Sequence, residues 1–318
     1  IKEYLTTPIT QADIEEAAEI LAVHGEPFNR EGWEYILDTY NGYLPVRIKA
    51  VPEGTVVEVK NVLATIENTD PACYWLTTWL ETALMRIWSP SVTATKSRHV
   101  YGMISEAFEA SVDPEFNFLL SSRLHDFGSR GVSSSETAMV TGTGHLLSFE
   151  GTDTMSAGWL ATKWNNGSPV GESVIASEHS VMTTWDGELE AVKHLISITP
   201  KGAILSCVAD SYDYESFVWN ILPEIASSVK ESEIFFVLRP DSGDPISAVL
   251  TGLKGLDAAF GSTVNNGIKH HLLKVHFHFF RKILIQTVPY INEFISDSSN
   301  SLVGGCKLTI NKITNGTL

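Results

Sequence analysis

The chain has 318 residues, of which 43% are hydrophobic and 19% are charged, and its formal net charge is −16. This size and composition suit one or two globular domains with a large core. The negative charge repels nucleic acid and anionic membranes, so neither is expected as a partner. A phosphate site would have to be a local cluster of cationic side chains and backbone N–H groups.

Residues 1–117 predict an N-terminal α+β domain. Thr10 and Asp13 form a helix start that resembles a capping box, and Gly25 ends this helix. Alternating apolar positions on both sides of a Pro-Glu-Gly turn predict antiparallel strands. The predicted elements are, in chain order, a helix after Thr10, a helix over about 30–40, strands within 46–67, an aromatic helix that opens at Pro71, and a helix over about 91–110.

In residues 118–318, short and wholly apolar runs alternate with helical patterns, and this predicts a second, catalytic domain. Such strands are typical of a parallel sheet that is covered on both faces. We therefore predict an α/β fold, with an irregular βα barrel favoured and an open doubly wound sheet as the alternative. The predicted elements are strands at 118–120, 203–209 and 234–238, and helices at 135–147, 214–229 and 244–259.

Charged residues follow three predicted strand ends, the edge at which barrel enzymes carry their chemistry. Asp210 follows one strand, Arg239 and Asp241 end another, and the loop 125–131 follows Leu124. A single aspartate after a strand is more often a helix cap. Three such ends together favour a functional site.

The residue types at these ends suit a phosphorylated sugar. Asp210 and Asp241 can hold Mg²⁺ through water or bind ribose hydroxyls, so no direct metal ligand is predicted. Arg130 and Arg239 can bind phosphate or an amide oxygen. Phe127 can stack on a planar ring, or it can plug the core beneath its loop.

His179 follows a short apolar run and stands next to Glu178. An isolated histidine in such a position is usually structural. With a phosphoryl donor nearby, it would instead be a phosphoryl acceptor or an acid–base group. The residues alone leave both interpretations open.

Ordered blocks between about residues 26 and 260 resemble the nicotinamide phosphoribosyltransferase family, whose members are type II phosphoribosyltransferases. Any one block would be a weak signal, but their shared order over this length is specific. The blocks are 48–54, 67–71 with 74–77, 125–137, 151–154, 177–180, 211–213 and 239–243.

The resemblance implies transfer of a phosphoribosyl group from 5-phosphoribosyl-1-pyrophosphate to nicotinamide in NAD salvage. The products would be nicotinamide mononucleotide and pyrophosphate. By this resemblance Phe127 stacks on the pyridine ring and Asp153 accepts a hydrogen bond from the carboxamide. Arg239 contacts the carboxamide oxygen, and Ser206 also belongs to the substrate-binding set.

The resemblance further implies Mg²⁺ as cofactor and ATP as a coupling substrate. Asp210 and Asp241 would serve the ribose and the metal, and His125 and Arg130 would line the phosphate region. His179 would be the histidine that ATP phosphorylates. A homodimer would share each active site and supply a second stacking aromatic from the partner subunit.

Two alternatives to this function stay open. One is a nicotinate-type phosphoribosyltransferase, which Asp153 disfavours because a carboxylate accepts an amide N–H but repels the carboxylate of nicotinate. The other is a non-catalytic homologue that binds a nucleotide or a partner protein. It is favoured by the tail, about 265–318, which departs from the family's phosphate loops.

We expect the tail to be truncated or shifted in frame, or else to belong to a divergent member that binds phosphate weakly. Its clustered histidines lack the spacing of a familiar zinc site. They are His270, His271, His276 and His278.

The cysteine pattern indicates the redox state of the protein's cellular compartment. Three widely spaced cysteines give no disulfide framework, and the sequence contains neither a transmembrane-length apolar run nor a signal peptide. A reducing, cytoplasmic location is therefore expected, with Cys207 as a small core residue.

Overall fold

The computed structural model describes residues 5–265, 268–271 and 276–277. The chain divides into two compact units, Ile1–Trp88 and Ser89–Leu318. The long helix over 88–111, which the sequence analysis placed in the first domain, lies almost wholly in the second unit. The reason is its packing, because Val100 and Ile104 form a buried cluster with Leu124 and Phe149.

The first unit packs helices against a two-stranded antiparallel sheet, as predicted. Thr10 and Asp13 form a complete capping box, and Gly25 ends the first helix in the left-handed conformation at φ 88°. The core centres on Ile36, Cys73, Leu76 and Leu80. The elements are α1 (Gln11–His24), α2 (Arg30–Tyr40), β1 (Val46–Ala50), β2 (Ala64–Asn68), a 3₁₀ turn (Pro71–Cys73) and α3 (Leu76–Met85).

The second unit alternates strands with helices. A π-helical turn (Phe217–Ile221) separates two of its helices, and two 3₁₀ helices (Pro114–Ser122 and Gly128–Gly131) precede its sheet. The other elements are α4 (Trp88–Ser111), α5 (Ser135–His145), α6 (Met155–Trp164), β3 (Ile175–Ala176), α7 (His179–Met182), α8 (Glu188–Ile198), β4 (Ile204–Val208), α9 (Tyr214–Ser216), α10 (Leu222–Ser232), β5 (Phe235–Arg239), α11 (Pro245–Phe260), β6 (Ser262–Asn265), β7 (Ile268–His271) and β8 (His276–Phe277).

The parallel sheet of the second unit follows chain order, β3-β4-β5-β8. Two parallel bridges come before it, Asp126 with Thr152 and Gly151 with Glu172. Parallel segments thus succeed one another in chain order from about residue 126. A doubly wound sheet reverses its order at a switch point, and the described strands show no reversal. The α/β class is confirmed, and this order favours the βα barrel over the alternative.

Two predicted strand segments are wrong. Residues 118–120 lie in the 3₁₀ helix Pro114–Ser122, because Pro114 suits a helix start and Phe118 is 71% exposed, so the apolar run does not enter a sheet. Val57 and Val59, the alternating apolar positions after the Pro-Glu-Gly turn on which the second predicted strand partly rested, lie between β1 and β2 outside any strand, and Val59 is 91% exposed.

The core of the second unit lies around β4 and β5, between α8, α10 and α11. Leu205, Cys207, Phe236 and Leu238 are almost completely buried. Cys207 is the predicted core residue, and its burial raises the pKa of the thiol to about 12. Because both strands are buried along their length, polar side chains are concentrated at their carboxyl ends.

None of the helices in the described ranges has the length and apolar character needed to span a membrane. Cys73 and Cys207 are both buried free thiols. The expected cytoplasmic location stays a prediction.

Candidate active site

Asp210 joins the loops that follow β4 and β5. Its Oδ2 accepts the backbone N–H of Asp241 at 2.9 Å and the Ser242 hydroxyl at 2.6 Å. Parallel neighbouring strands end at the same edge, so the two loops are adjacent. The two aspartates that the sequence analysis selected therefore lie side by side at the carboxyl edge of the sheet.

His179 begins α7, directly after β3. Its Nε2 lies 3.2 Å from Asp241 Oδ2 and 4.0 Å from Asp210 Oδ1, and its Nδ1 lies 3.0 Å from Ser211 Oγ. Because a carboxylate only accepts, Nε2 carries the proton toward Asp241, and in the neutral ring Nδ1 holds the lone pair. The imidazole side chain is 44% exposed and thus accessible to a ligand. The three predicted catalytic residues form one cluster.

Ser206 and Arg239 lie in the strands beneath this cluster and are almost completely buried. The Arg239 guanidinium donates to the carbonyl of Ser177. Ser177 also accepts the Val208 N–H through its hydroxyl, at 2.9 Å, and so links β3 to β4. Arg239 is therefore held with its charge beside the strand ends.

Buried polar atoms without a hydrogen-bond partner concentrate at this edge. Leaving such an atom unpaired costs about 1–3 kcal/mol, so a cluster of them is typical of a site that a ligand completes. Within the described residues, all but one of the unpaired buried side-chain atoms lie here, the exception being in Asn68. They are Glu188 Oε1, Ser206 Oγ, Asp210 Oδ1, Arg239 Nε and Asp241 Oδ1.

Glu188, the first residue of α8, is a member of this group that the sequence analysis missed. It is 9% exposed, and burial raises the pKa of its carboxyl to about 7, with Asp210 and Asp213 adding to the rise and His179 opposing it. Acidic residues are common and usually solvated in the first turn of a helix. The sequence therefore contained no signal for its burial.

Glu188→Gln is expected to stabilise the protein in a pH-dependent way. The folded state holds a proton on Glu188 up to about pH 7, whereas the unfolded carboxyl loses it near 4.5. Wild-type stability should therefore fall as pH rises through this window, and the variant should gain about 1–3 kcal/mol relative to wild type at pH 8. Urea unfolding of both proteins at pH 5 and pH 8, in the presence of EDTA, measures this difference in the free energy of unfolding. An equal difference at both pH values would contradict the expected linkage.

Two of the three base-binding residues implied by the resemblance, Phe127 and Asp153, form a second group with His125 at the same end of the parallel segments, whereas Arg239 lies on β5 beneath the first cluster. His125 Nδ1 lies 3.0 Å from Asp153 Oδ2, and Ser173 donates to Asp153 Oδ1 at 2.7 Å. Phe127 lies nearly parallel to the His125 ring, at 6.4 Å between centroids and 27° between planes. Each carboxylate oxygen of Asp153 can accept a further hydrogen bond. The group thus combines an aromatic face with a hydrogen-bond acceptor, which is the chemistry that a flat amide-bearing ring would require.

Asp126 holds the loop of Phe127, a role that the sequence analysis did not assign. Its Oδ1 accepts the Gly128 N–H at 3.2 Å and its Oδ2 accepts the Thr154 hydroxyl at 2.7 Å. Its carbonyl accepts the Asp153 N–H at 2.9 Å. The family-like block 125–137 contains this aspartate, but only the fold shows that it joins the loop at 126–128 to the segment at 152–154.

Gly151 makes room for the His125 ring. A Cβ at Gly151 would overlap the ring's Cδ2, and the ring is buried with a 3% exposed side chain. Glycine is thus required where the two segments approach.

Two predicted phosphate-side roles stay predictions. His125 contacts Asp153, as described above. Arg130 is exposed in the 3₁₀ helix Gly128–Gly131.

The carboxylates Asp210 and Asp241 suit a water-mediated Mg²⁺. Among the described residues, no group of three or more His, Cys, Asp or Glu side chains is arranged to hold a metal. Mg²⁺ commonly uses one or two carboxylates, several waters and a substrate phosphate, and each of these aspartates has an unpaired Oδ1. In the tail, His270 and His271 lie on β7 and His276 on β8, while His278 is outside the described residues.

Two family models match the chain. Residues 122–286 match the nicotinate phosphoribosyltransferase family, and residues 1–48 match the N-terminal domain of nicotinamide phosphoribosyltransferase. The matches thus begin before residue 26 and extend into the tail.

Several known proteins are similar to the chain. A protein named nicotinamide phosphoribosyltransferase from Xanthomonas campestris pv. campestris is 43% identical over 270 residues, 83% of this chain and 57% of that protein. One of the same name from Acinetobacter baylyi is 36% identical, over 65% of this chain and 43% of that protein. The chain therefore spans about half the length of these relatives. A solved nicotinate-nucleotide pyrophosphorylase from Pyrococcus furiosus aligns with a TM-score of 0.49 and 15% identity, over 86% of this chain and 67% of that one.

Proposed function

The chain belongs to the nicotinate phosphoribosyltransferase family, and from this premise we propose that it transfers a phosphoribosyl group from 5-phosphoribosyl-1-pyrophosphate to nicotinamide. The observation that carries the choice of base is the placement of the Asp153 carboxylate beside the rings of Phe127 and His125. The Phe127 ring offers a stacking surface and the carboxylate accepts an amide N–H. The same carboxylate repels nicotinate.

The reaction exchanges one bond at C1 of the ribose for another. The C1–O bond to pyrophosphate breaks, the pyridine nitrogen forms the new C1–N bond, and pyrophosphate leaves with the electron pair of the broken bond. Asp210 and Asp241 would orient the ribose hydroxyls and the waters of Mg²⁺, through their unpaired Oδ1 atoms. When bound, Mg²⁺ supplies charge neutralisation for the leaving pyrophosphate. Positioning and charge stabilisation provide most of such catalysis.

We further propose that His179 accepts the γ-phosphoryl group of ATP. The proton on Nε2 is held toward Asp241, so the lone pair of Nδ1 is the nucleophile once the Ser211 hydroxyl rotates away. The new N–P bond forms as the bond to ADP breaks, and ADP leaves. Asp241 and Asp210 offset the positive charge of the phosphorylated ring.

Labelling with γ-³²P-ATP should give a phosphoprotein that is stable to alkali and labile to acid. His179→Gln should abolish the label, while His194→Gln, a change on the exposed side of α8, should retain it. A label that survives His179→Gln would place the phosphorylation on another residue.

The experiment that tests the main proposal is an assay of the full chain with Mg²⁺, 5-phosphoribosyl-1-pyrophosphate and either nicotinamide or nicotinate. Formation of nicotinamide mononucleotide is the expected result. Exclusive use of nicotinate would make the protein the nicotinate-type enzyme. Calorimetric binding of nicotinamide without binding of phosphoribosyl pyrophosphate would support the non-catalytic homologue instead.

A homodimer with a shared site is proposed with this function, as the resemblance implies. The first unit exposes aromatic side chains that an interface could cover, among them Tyr74 and Trp88, which are 77% and 68% exposed. Light scattering after size-exclusion chromatography measures the assembly, and a monomer at assay concentration would contradict it.

A further inference from the structure

His145, the last residue of α5, lies behind the base-binding group and has no role in the reaction described above. It is 3% exposed, and its ring lies flat against Phe149, at 5.1 Å and 14°. Its Nε2 is 3.1 Å from the carbonyl oxygen of Leu124 and 3.1 Å from that of Gly151. Its Nδ1 is 2.9 Å from the Ser97 hydroxyl on α4.

These partners determine the tautomer. Both carbonyls can only accept, so Nε2 carries the hydrogen and shares it between them, and the Ser97 hydroxyl donates to Nδ1. Burial lowers the pKa of His145, which keeps the ring neutral. The histidine is thus a fixed bridge between two backbone segments.

The bridged segments carry the base-binding residues. Leu124 immediately precedes His125, and Gly151 lies two residues before Asp153. On the ligand side, the His125–Asp153 contact joins the segments, and on the core side the His145 bridge joins them. A shift of either segment changes the distance between the buried His125 ring and the Asp153 carboxylate that would face the base.

The close packing of α5 against its neighbouring helices places the His145 ring between the two segments. A Cβ at Gly144 would lie 2.6 Å from the carbonyl oxygen of Pro90, and a Cβ at Gly142 would lie 2.7 Å from the Cβ of Ala157. Glycine at both positions lets α5 lie close to α4 and α6, and this closeness brings the His145 ring between the segments.

We propose that His145 is a positioning residue of the base site, which sets the separation of His125 and Asp153 and thereby the affinity for nicotinamide. The proposal rests on the proposed function and deepens it. A role confined to stability would lower the unfolding temperature without a selective effect on one substrate.

Two substitutions separate positioning from stability. Glutamine places its amide N–H₂ near the position of Nε2 and keeps the bridge, whereas asparagine reaches only the position of Nδ1 and loses it. His145→Asn should raise KM for nicotinamide about tenfold, the size of one lost hydrogen bond, and leave kcat and KM for phosphoribosyl pyrophosphate within about twofold. His145→Gln should stay within about threefold of wild type for the same reason.

Thr143→Val is the matched control. Thr143 is buried on the same helix, and its hydroxyl lies 2.8 Å from the Met139 carbonyl and 3.4 Å from the Ala157 carbonyl on α6, so its partners belong to neither segment. It should lower the unfolding temperature with no change in KM for nicotinamide. Similar KM values for His145→Asn and His145→Gln, or an equal KM change in Thr143→Val, would overturn the proposal.

An independent readout separates failure of this inference from failure of the proposed function. In the full chain labelled with ¹⁵N-histidine, the His125 ring resonances should shift in His145→Asn and stay near wild type in His145→Gln. If wild type forms no nucleotide from nicotinamide but these shifts appear, the proposed function is wrong and the positioning role stands. Unchanged His125 resonances in His145→Asn would refute the positioning role whatever the activity.

Discussion

Asp210→Asn is expected to lower kcat/KM for 5-phosphoribosyl-1-pyrophosphate by roughly 10²–10³-fold, the effect of removing one group that stabilises charge at a reacting centre. The asparagine carbonyl can still accept from the Asp241 N–H and the Ser242 hydroxyl, so the two loops should stay joined. What is lost is the negative charge on the unpaired, buried Oδ1, which would face the ribose hydroxyls and the hydrated Mg²⁺.

The same substitution should not destabilise the protein. A buried carboxylate with an unpaired oxygen is costly in the free protein, so a neutral amide of the same shape is expected to leave the free energy of unfolding within about 1 kcal/mol of wild type, or to raise it. Removing this charge should also lower the raised pKa of Glu188, because Asp210 contributes to that rise. Steady-state kinetics and urea unfolding measure both effects.

Asp213→Asn is the matched control for Asp210→Asn. Asp213 is an exposed aspartate on the same loop, and its carboxylate accepts the Ser216 N–H at 2.6 Å as the cap of α9. Asparagine caps helices as well as aspartate does, so activity should change by less than about threefold. If both variants lose activity equally, the effect belongs to the general charge of the loop, and Asp210 has no special role.

The meeting of Asp210 and Asp241 could be predicted from the sequence for a topological reason, whereas His179 was assigned to the site only through the resemblance. Short apolar runs between helices predict parallel strands, and parallel strands end at one edge, so polar residues after such runs lie close together. The structure places all three within hydrogen-bonding or near ion-pair distance. Strand direction and neighbour order suffice for this prediction, and both follow from the local sequence pattern.

Glu188 and His145 could not be found in this way, because their roles depend on tertiary contacts. In the sequence, Glu188 is an acidic residue at a helix start and His145 is a basic residue at a helix end. Both residue types are common at these positions and are usually exposed to solvent there. Their burial arises because α8 packs against β4 and α5 packs against α4 and α6. The incorrect strand prediction at 118–120 arose in the opposite way. An apolar run predicts burial, but Phe118 in this run is mostly exposed.

Asp153→Asn should reduce the preference for nicotinamide over nicotinate by about 100-fold, expressed as the ratio of the two kcat/KM values. Two like charges about 4 Å apart repel by about 4 kcal/mol at an effective dielectric constant near 20, and water that reaches the partly exposed carboxylate reduces that figure. Removing the charge therefore removes the repulsion of nicotinate. It also replaces an acceptor for the carboxamide by a group that can donate to a carboxylate.

The local structure should tolerate this change. The asparagine oxygen can accept from His125 Nδ1, and its N–H₂ can donate to the Ser173 hydroxyl, so both contacts of Asp153 can be kept. The loss of preference should then appear mainly as a higher kcat/KM for nicotinate, with a smaller fall for nicotinamide. A fall for both substrates in equal proportion would indicate damage to the site rather than a change in selectivity.

Glu172→Gln tests whether any acidic residue near the site would produce the same selectivity. Glu172 is exposed, lies on the segment that pairs with Gly151, and hydrogen-bonds Ser122. The substitution Glu172→Gln removes one negative charge near Asp153 and leaves the contact between His125 and Asp153 unchanged. We expect the substrate ratio to change by less than about threefold, because an exposed charge is screened by solvent. If Glu172→Gln narrows the preference as much as Asp153→Asn does, selectivity arises from the overall acidity of this edge. If only Asp153→Asn narrows it, the single carboxylate beside Phe127 distinguishes the amide from the acid.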